Sequence, residues 1–209
     1  MFQLVRRAAQ TIACAFCLLS ISAEAAIVTA EHVPADYSSG GLSVSGFNNG
    51  SFRPGQTFTA LLGGLLGEVS VALWSSGANN VVVEVRDTSG GLPASLLASG
   101  LITSGPYNGL FQTVDLSSSG ITLNGGGLYA ITLRTVNASP NAGWQGSFAP
   151  ELYTGGEYVF SSNSGATYSV QAGYSHSFRV TVEPVPEPST FGVLGIAGMA
   201  LVVVRRRRP

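Results

Sequence analysis

The stretch Val81-Val82-Val83-Glu84-Val85-Arg86-Asp87-Thr88-Ser89-Gly90-Gly91-Leu92 decides the fold class. Val81, Val83 and Val85 recur at every second position, while Glu84 and Arg86 point the other way. One face is apolar and the other wet, which is the period of a half-buried antiparallel strand and not the 3.6-residue period of a helix. The residues from Asp87 to Gly91 are turn chemistry. The same grammar repeats outward in both directions. Val69, Val71 and Leu73 share a face; Tyr129, Ile131 and Leu133 alternate with Ala130, Thr132 and Arg134; Phe178, Val180 and Val182 alternate with Ser177, Arg179 and Thr181. Shorter strand candidates are residues 56–60, 112–116, 121–123, 157–160 and 167–170. Turn compositions at Asn48-Asn49-Gly50, Asn124-Gly125-Gly126-Gly127 and residues 161–165 punctuate them. The turn at 124–127 is expected to join residues 121–123 to 128–133 as a hairpin. Residues 92–98, which also fit a helical turn, are read as strand or loop. About nine short strands predict an all-β chain, an antiparallel β-sandwich of jelly-roll-like order.

The composition describes a body between two unlike ends. Of 209 residues, 45% are hydrophobic, only 10% are charged and 27 are Gly. Abundant apolar residues with sparse charge exclude a disordered chain. The formal net charge of −1 lacks the basic footprint of a nucleic-acid binder, so no nucleic acid is expected as a partner. That small charge is an average of opposites. All ten basic residues are Arg, and six of them, Arg6, Arg7, Arg205, Arg206, Arg207 and Arg208, sit at the termini. Between residues 26 and 187 four Arg face ten carboxylates, a net of −6 with no Lys.

At the N-terminus Arg6 and Arg7 precede an apolar stretch at 11–21, and Ala23-Glu24-Ala25 supplies the small residues that a signal peptidase reads. Residues 1–25 are therefore expected to form a signal helix cleaved between Ala25 and Ala26. Cys14 and Cys17, the only cysteines, lie inside that stretch and leave with it. The mature body, residues 26–183, is then expected to hold no disulfide and no thiolate metal site, although export permits disulfides. At the C-terminus Val185-Pro186-Glu187-Pro188-Ser189-Thr190 precedes fourteen uncharged residues, 191–204, and then the four Arg. Closely spaced prolines fix φ and remove amide donors, so this segment is expected to be extended and open to a processing enzyme. The apolar run would rise about 21 Å as a helix, short of a roughly 30 Å hydrocarbon core, a deficit that snorkelling Arg side chains reduce. A charge cluster of this kind holds its end on the cytoplasmic side and leaves the body outside.

Residues 184–209, with Pro186-Glu187-Pro188, a short transmembrane helix and the Arg tail in that order, resemble the PEP-CTERM sorting signal of Gram-negative bacteria. The resemblance implies an exosortase, a membrane-embedded cysteine transpeptidase, as processing partner. It also implies a precursor held transiently in the inner membrane and a mature form at the cell surface or in an exopolysaccharide and biofilm matrix. A second resemblance covers residues 56–145. Gln56-Thr57-Phe58-Thr59, Val69-Ser70-Val71-Ala72-Leu73, Gly90-Gly91-Leu92-Pro93, Leu96-Leu97 and Gly127-Leu128-Tyr129 are similar to the choice-of-anchor R domain, a β-rich bacterial surface module. It implies an extracellular, matrix-associated role and brings no catalytic residue with it.

The chemistry in the body is thin. No G-x-S-x-G elbow is present, and His32 and His176 have no metal-ligand spacing. His32 lies near the new chain end, and His176 is expected to be an exposed or edge histidine. The carboxylates are dispersed, and Asp87 is read as a turn aspartate before a calcium ligand. No catalytic residue, metal or cofactor is expected. Trp74, on the outward side of its strand's alternation, and Trp144 are the candidate ligand contacts, because amphipathic rings in Gly/Ser/Asn-rich surroundings suit sugar faces or protein partners. The competing reading for both is a cap on the core. The chain is thus expected to be an exported, non-enzymatic surface or matrix protein; the alternative is a carbohydrate-binding module or a polysaccharide-active enzyme.

Overall fold

The computed structural model describes residues 25–34, 43–47, 51–75, 77, 80–103, 107–136 and 142–184. The expected signal helix before Ala25, the transmembrane helix and the Arg tail lie outside these residues. Among the described residues no helix is long and apolar enough to cross a membrane. The first seven strands are β1 (Ile27–His32), β2 (Ser43–Phe47), β3 (Arg53–Thr59), β4 (Gly64–Ser75), β5 (Val81–Ser89), β6 (Leu92–Ile102) and β7 (Asn108–Asp115). A 3-10 turn, Ser117–Ser119, leads to β8 (Thr122–Leu123), β9 (Leu128–Thr135), β10 (Ala142–Phe148), β11 (Tyr158–Ser161), β12 (Ser169–Val170), β13 (Tyr174–His176) and β14 (Phe178–Glu183). They form two sheets with antiparallel pairing throughout. The smaller runs β12-β11-β3-β9-β5-β6, and the larger runs β1-β14-β4-β10-β13, with β2 on β10 and with β7 and β8 on β4.

Alternation explains which faces meet. Val81, Val83 and Val85 of β5 and Ile131 and Leu133 of β9 turn inward from the smaller sheet. Leu66, Val69, Val71 and Leu73 of β4 and Phe178, Val180 and Val182 of β14 turn inward from the larger. Aromatic rings join the layers: Phe58 lies 5.9 Å from both Tyr129 and Phe178. A polar side chain crosses as well, because the fully buried Gln56 of β3 accepts the backbone N–H of His176 at 2.8 Å. With no cysteine among the described residues, this shared core must carry the stability, at roughly 1.5–3 kcal/mol for each fully buried Val, Leu or Phe.

Two irregularities shape the larger sheet. In β4 the partners of Val180 and Val182 are Val69 and Leu66, so Gly67 and Glu68 together face one residue of β14. This bulge lets Leu66 and Val69 share the inner face although they are three residues apart. In β1 the register shifts between Val28 and Ala30. The displaced Thr29 clamps the next loop: its hydroxyl donates to Leu62 O at 2.7 Å, and its oxygens accept Leu61 N–H at 2.9 Å and Leu62 N–H at 3.0 Å.

β5 and β6 form a hairpin closed by Gly90 and Gly91 at φ +60° and +82°. Two successive positive φ values are the type I′ requirement, which glycine meets without strain. Residues 92–98 are therefore strand. The expected hairpin at 124–127 is overturned. Gly127 N–H does close a turn on Asn124 O at 3.0 Å, but β8 pairs with β4 in the larger sheet while β9 pairs with β3 and β5 in the smaller. The turn is a corner between layers. Tyr129 fixes it by accepting Asn124 N–H at its hydroxyl, 2.8 Å away.

Candidate functional site

The two candidate tryptophans take opposite places. Trp74 lies near the end of β4 with its ring on the outer face, 47% exposed. Its cross-strand neighbours are Asn108 of β7 and Gly143 of β10, and Gly46 of β2 lies opposite Gly143. The half-exposed indole stands beside a glycine that adds no side chain to cover it, so apolar ring surface is open to solvent there. Ala72 and the partly exposed Phe111 pair two positions along, and the Arg179 guanidinium lies 5.8 Å from the Phe111 ring centre. Arg179 is itself bonded to Glu31 at 2.9 Å in an exposed pair.

Trp144 of β10 is fully buried. Its indole N–H donates to Ser177 O at 2.9 Å, and its ring stacks on His176 with centroids 4.1 Å apart and planes 3° from parallel. Tyr158 and Tyr174 meet the same imidazole edge-on, each at 4.9 Å. Trp144 is thus a core residue with no surface to offer a ligand. The expectation of an exposed or edge histidine at 176 is overturned too, since His176 is 0% exposed inside this aromatic box. Burial pushes its pKa down to about 3 and so keeps the ring neutral; the backbone at Gln145 and Trp144 favours the proton weakly, and His32 opposes it. Neither ring nitrogen has a partner in hydrogen-bond geometry.

One pairing missed by sequence reasoning looks like catalytic machinery. His32 Nε2 lies 2.9 Å from Ser147 Oγ, across 115 residues. The proton directions decide its meaning. Ser147 donates its hydroxyl to Glu151 O, so the histidine must donate to the serine oxygen. That is the reverse of a base activating a nucleophile. Burial lowers the His32 pKa, and Ser147 is only 5% exposed. Beside this pair a groove of about 350 Å³ runs along β1, lined by Val28, Ala30, Thr59, Leu61 and Tyr153.

A second group is Glu84, on the outer face of the smaller sheet and only 5% exposed. Its Oε2 accepts Arg86 at 2.8 Å and Thr132 at 3.1 Å, and its Oε1 accepts Arg134 at 3.1 Å. Burial alone would raise the Glu84 pKa; the hydrogen bonds from Arg86 and Arg134 and the Arg86 charge outweigh it and hold the carboxyl below its ordinary value. Asp87, expected in a turn and the calcium alternative, lies instead within β5, opposite Tyr129 of β9 and at a register shift against β6, where it accepts the N–H of Thr88 at 2.8 Å. Among the described residues no group of three or more His, Cys, Asp or Glu is placed to hold a metal ion.

Of the sorting and cleavage positions, Ala25 and Ala26 are described, exposed and directly ahead of β1. Ala23, Pro186, Glu187, Pro188 and the four Arg at 205–208 lie outside the described residues. No curated protein matches the chain. Residues 184–208 match the PEP-CTERM protein-sorting motif, which begins directly after β14 and supports an exported, surface-directed protein sorted by an exosortase.

Proposed function

We propose that this chain is a non-enzymatic protein that an exosortase delivers to the cell surface or extracellular matrix, where its β-sandwich associates with exopolysaccharide. The observation that carries the reading is the sorting motif at 184–208, which starts where the last strand ends. The signal-like residues 1–25 and the acidic, Lys-free body support export. The similarity of residues 56–145 to the choice-of-anchor R module supports a matrix role. The binding side of the proposal rests on Trp74, whose ring is open on the outer face of the larger sheet. The non-enzymatic side rests on how the polar groups are used: Ser147 donates away from His32, His176 is enclosed, and Glu84 is held between two Arg.

Replacing Pro186-Glu187-Pro188 with alanines, in a host that carries the exosortase, should leave an unprocessed, membrane-retained precursor. Intact mass of the secreted wild-type form should show an N-terminus at Ala26 and a C-terminus near the motif. Unchanged processing of the alanine variant would sink the sorting proposal. For the body, saturable binding to a glycan array that is lost in Trp74→Ala supports the polysaccharide partner, and release of reducing ends would favour a polysaccharide-active enzyme instead.

A further inference from the structure

Exposed apolar side chains gather at one end of the larger sheet. Ile27 is 40% exposed, Leu61 76%, Leu62 49% and Leu65 38%. Strand pairing and loop bonds place them together: Ile27 lies opposite Val182, Leu65 opposite Glu183, and the 61–62 loop is tied to Thr29, two residues from Ile27. The loop tip is held by three hydrogen bonds to one residue, so its leucines are presented and not merely frayed. Ile27 pairs with the inward-facing Val182 and Leu65 with the exposed Glu183, so the two flank this end from opposite faces of the sheet. Exposed apolar groups gathered at one end mark a contact surface.

Both ends of the body emerge at this place. Ala26 leads into β1, and Pro184 leaves β14 beside Leu65. Seven residue steps separate Pro184 from Phe191, the first residue of the uncharged run. At about 3.3–3.6 Å per residue they reach no further than roughly 25 Å in any conformation. The twelve residues of β4 extend about 40 Å. The tether is shorter than the body, so a chain anchored by residues 191–204 keeps this end nearest the bilayer. The charged neighbours in the strand pairing are acidic, Glu68 and Glu183, so contact here is apolar and not an attraction to anionic headgroups.

We propose that Ile27, Leu61, Leu62 and Leu65 form a membrane-seating surface that dips into the bilayer interface while the precursor is anchored. This rests on reading residues 191–204 as a membrane anchor. The test uses the signal-cleaved precursor, residues 26–209, which holds no cysteine, in phosphatidylcholine vesicles, with a fluorophore at Leu62→Cys or, at the far end of β4, at Asn108→Cys. Spin-labelled lipid should quench the label at 62 at least threefold more than the label at 108, and adding 30% anionic lipid should not raise the ratio. Adding Leu61→Ser and Leu65→Ser should halve the quenching at 62 while vesicle flotation persists, with near-UV circular dichroism confirming the fold. Equal quenching at both positions with flotation intact overturns the seat and spares the anchor, as does quenching at 62 that the serine substitutions leave undiminished. Loss of flotation in the parent overturns the anchor reading and the seat with it.

Discussion

Glu84→Gln separates charge from shape at a carboxylate that the sandwich buries between two guanidinium groups. Both oxygens of Glu84 are in use, Oε1 by Arg134 at 3.1 Å and Oε2 by Arg86 at 2.8 Å and Thr132 at 3.1 Å. Whichever way the glutamine amide turns, one cation meets an N–H donor in place of an acceptor. Breaking a fully buried pair costs about 3–5 kcal/mol. Here the Arg86 and Arg134 side chains are 16% and 36% exposed, so water recovers part of their solvation. A loss of about 2–3 kcal/mol follows at pH 7. For a body of this size that lowers Tm by roughly 4–12 °C. The pH dependence gives a second reading. The folded pKa of Glu84 is depressed below its ordinary value, so its stabilisation is complete above the unfolded pKa near 4.5 and is lost as pH falls through the folded value. Urea denaturation of wild type and variant should show the full gap at pH 7 and a shrinking one below about pH 4.5. A gap under about 0.5 kcal/mol at pH 7, or one as large at pH 3 as at pH 7, would refute this account of the cluster.

Three other outcomes are expected. In His176→Phe the aromatic box keeps its filler, and stability at pH 7 should stay within about 1 kcal/mol of wild type. Because the folded His176 pKa is pushed down to about 3, wild type should lose stability as pH falls from about 6.5 toward 3, and the variant should lose less; parallel pH curves would refute the enclosed neutral ring. Trp74→Ala should change the urea midpoint by an amount equivalent to less than about 1 kcal/mol, since the ring is half exposed; a loss of 3 kcal/mol or more would make Trp74 a core residue. Gly156→Ala should cost at least about 3 kcal/mol, because its Cβ would stand 1.9 Å from Thr57 O, and a native-like melting curve would contradict that close approach.

How much of this was legible depends on whether the signal is local. β5 was plain because valines fill every inward position and Glu84 and Arg86 the outward ones. β10 was invisible for a physical reason. A Cβ at Gly146 would lie 2.2 Å from Ser175 O, so the strand needs glycine where alternation would need a side chain. Leu66 fell outside the pattern because the bulge at Gly67 and Glu68 resets the period. The turn at 124–127 was recognised, but turn chemistry is blind to which sheet the next strand joins. His176 was misplaced because Ser175 and Ser177 make its neighbourhood look wet, whereas the stack on Trp144 depends on a residue 32 positions away. The His32–Ser147 pair spans 115 residues, so no local pattern at either residue announces it. The sorting motif, by contrast, is written in linear order and needs no fold to be read.

The two ends of β4 carry different chemistry, and this gives the body a direction. Leu65 sits beside the exit of the chain toward its sorting motif, and Trp74 stands nine residues further on, about 30 Å away along the strand. A tether of at most about 25 Å cannot bring the Trp74 end to the anchor point unless the body lies on its side. The outer face of the larger sheet resists that posture. Its exposed Glu31–Arg179 pair and the Ser70–Thr113 hydroxyl pair at 2.8 Å would have to leave water. Their desolvation works against a flat orientation, while the leucines at the chain-exit end favour an upright one. In the anchored precursor proposed above, the open indole is then held away from the bilayer and the apolar end toward it. A body with its exposed aromatic and its exposed leucines exchanged would gain neither advantage from a tether this short.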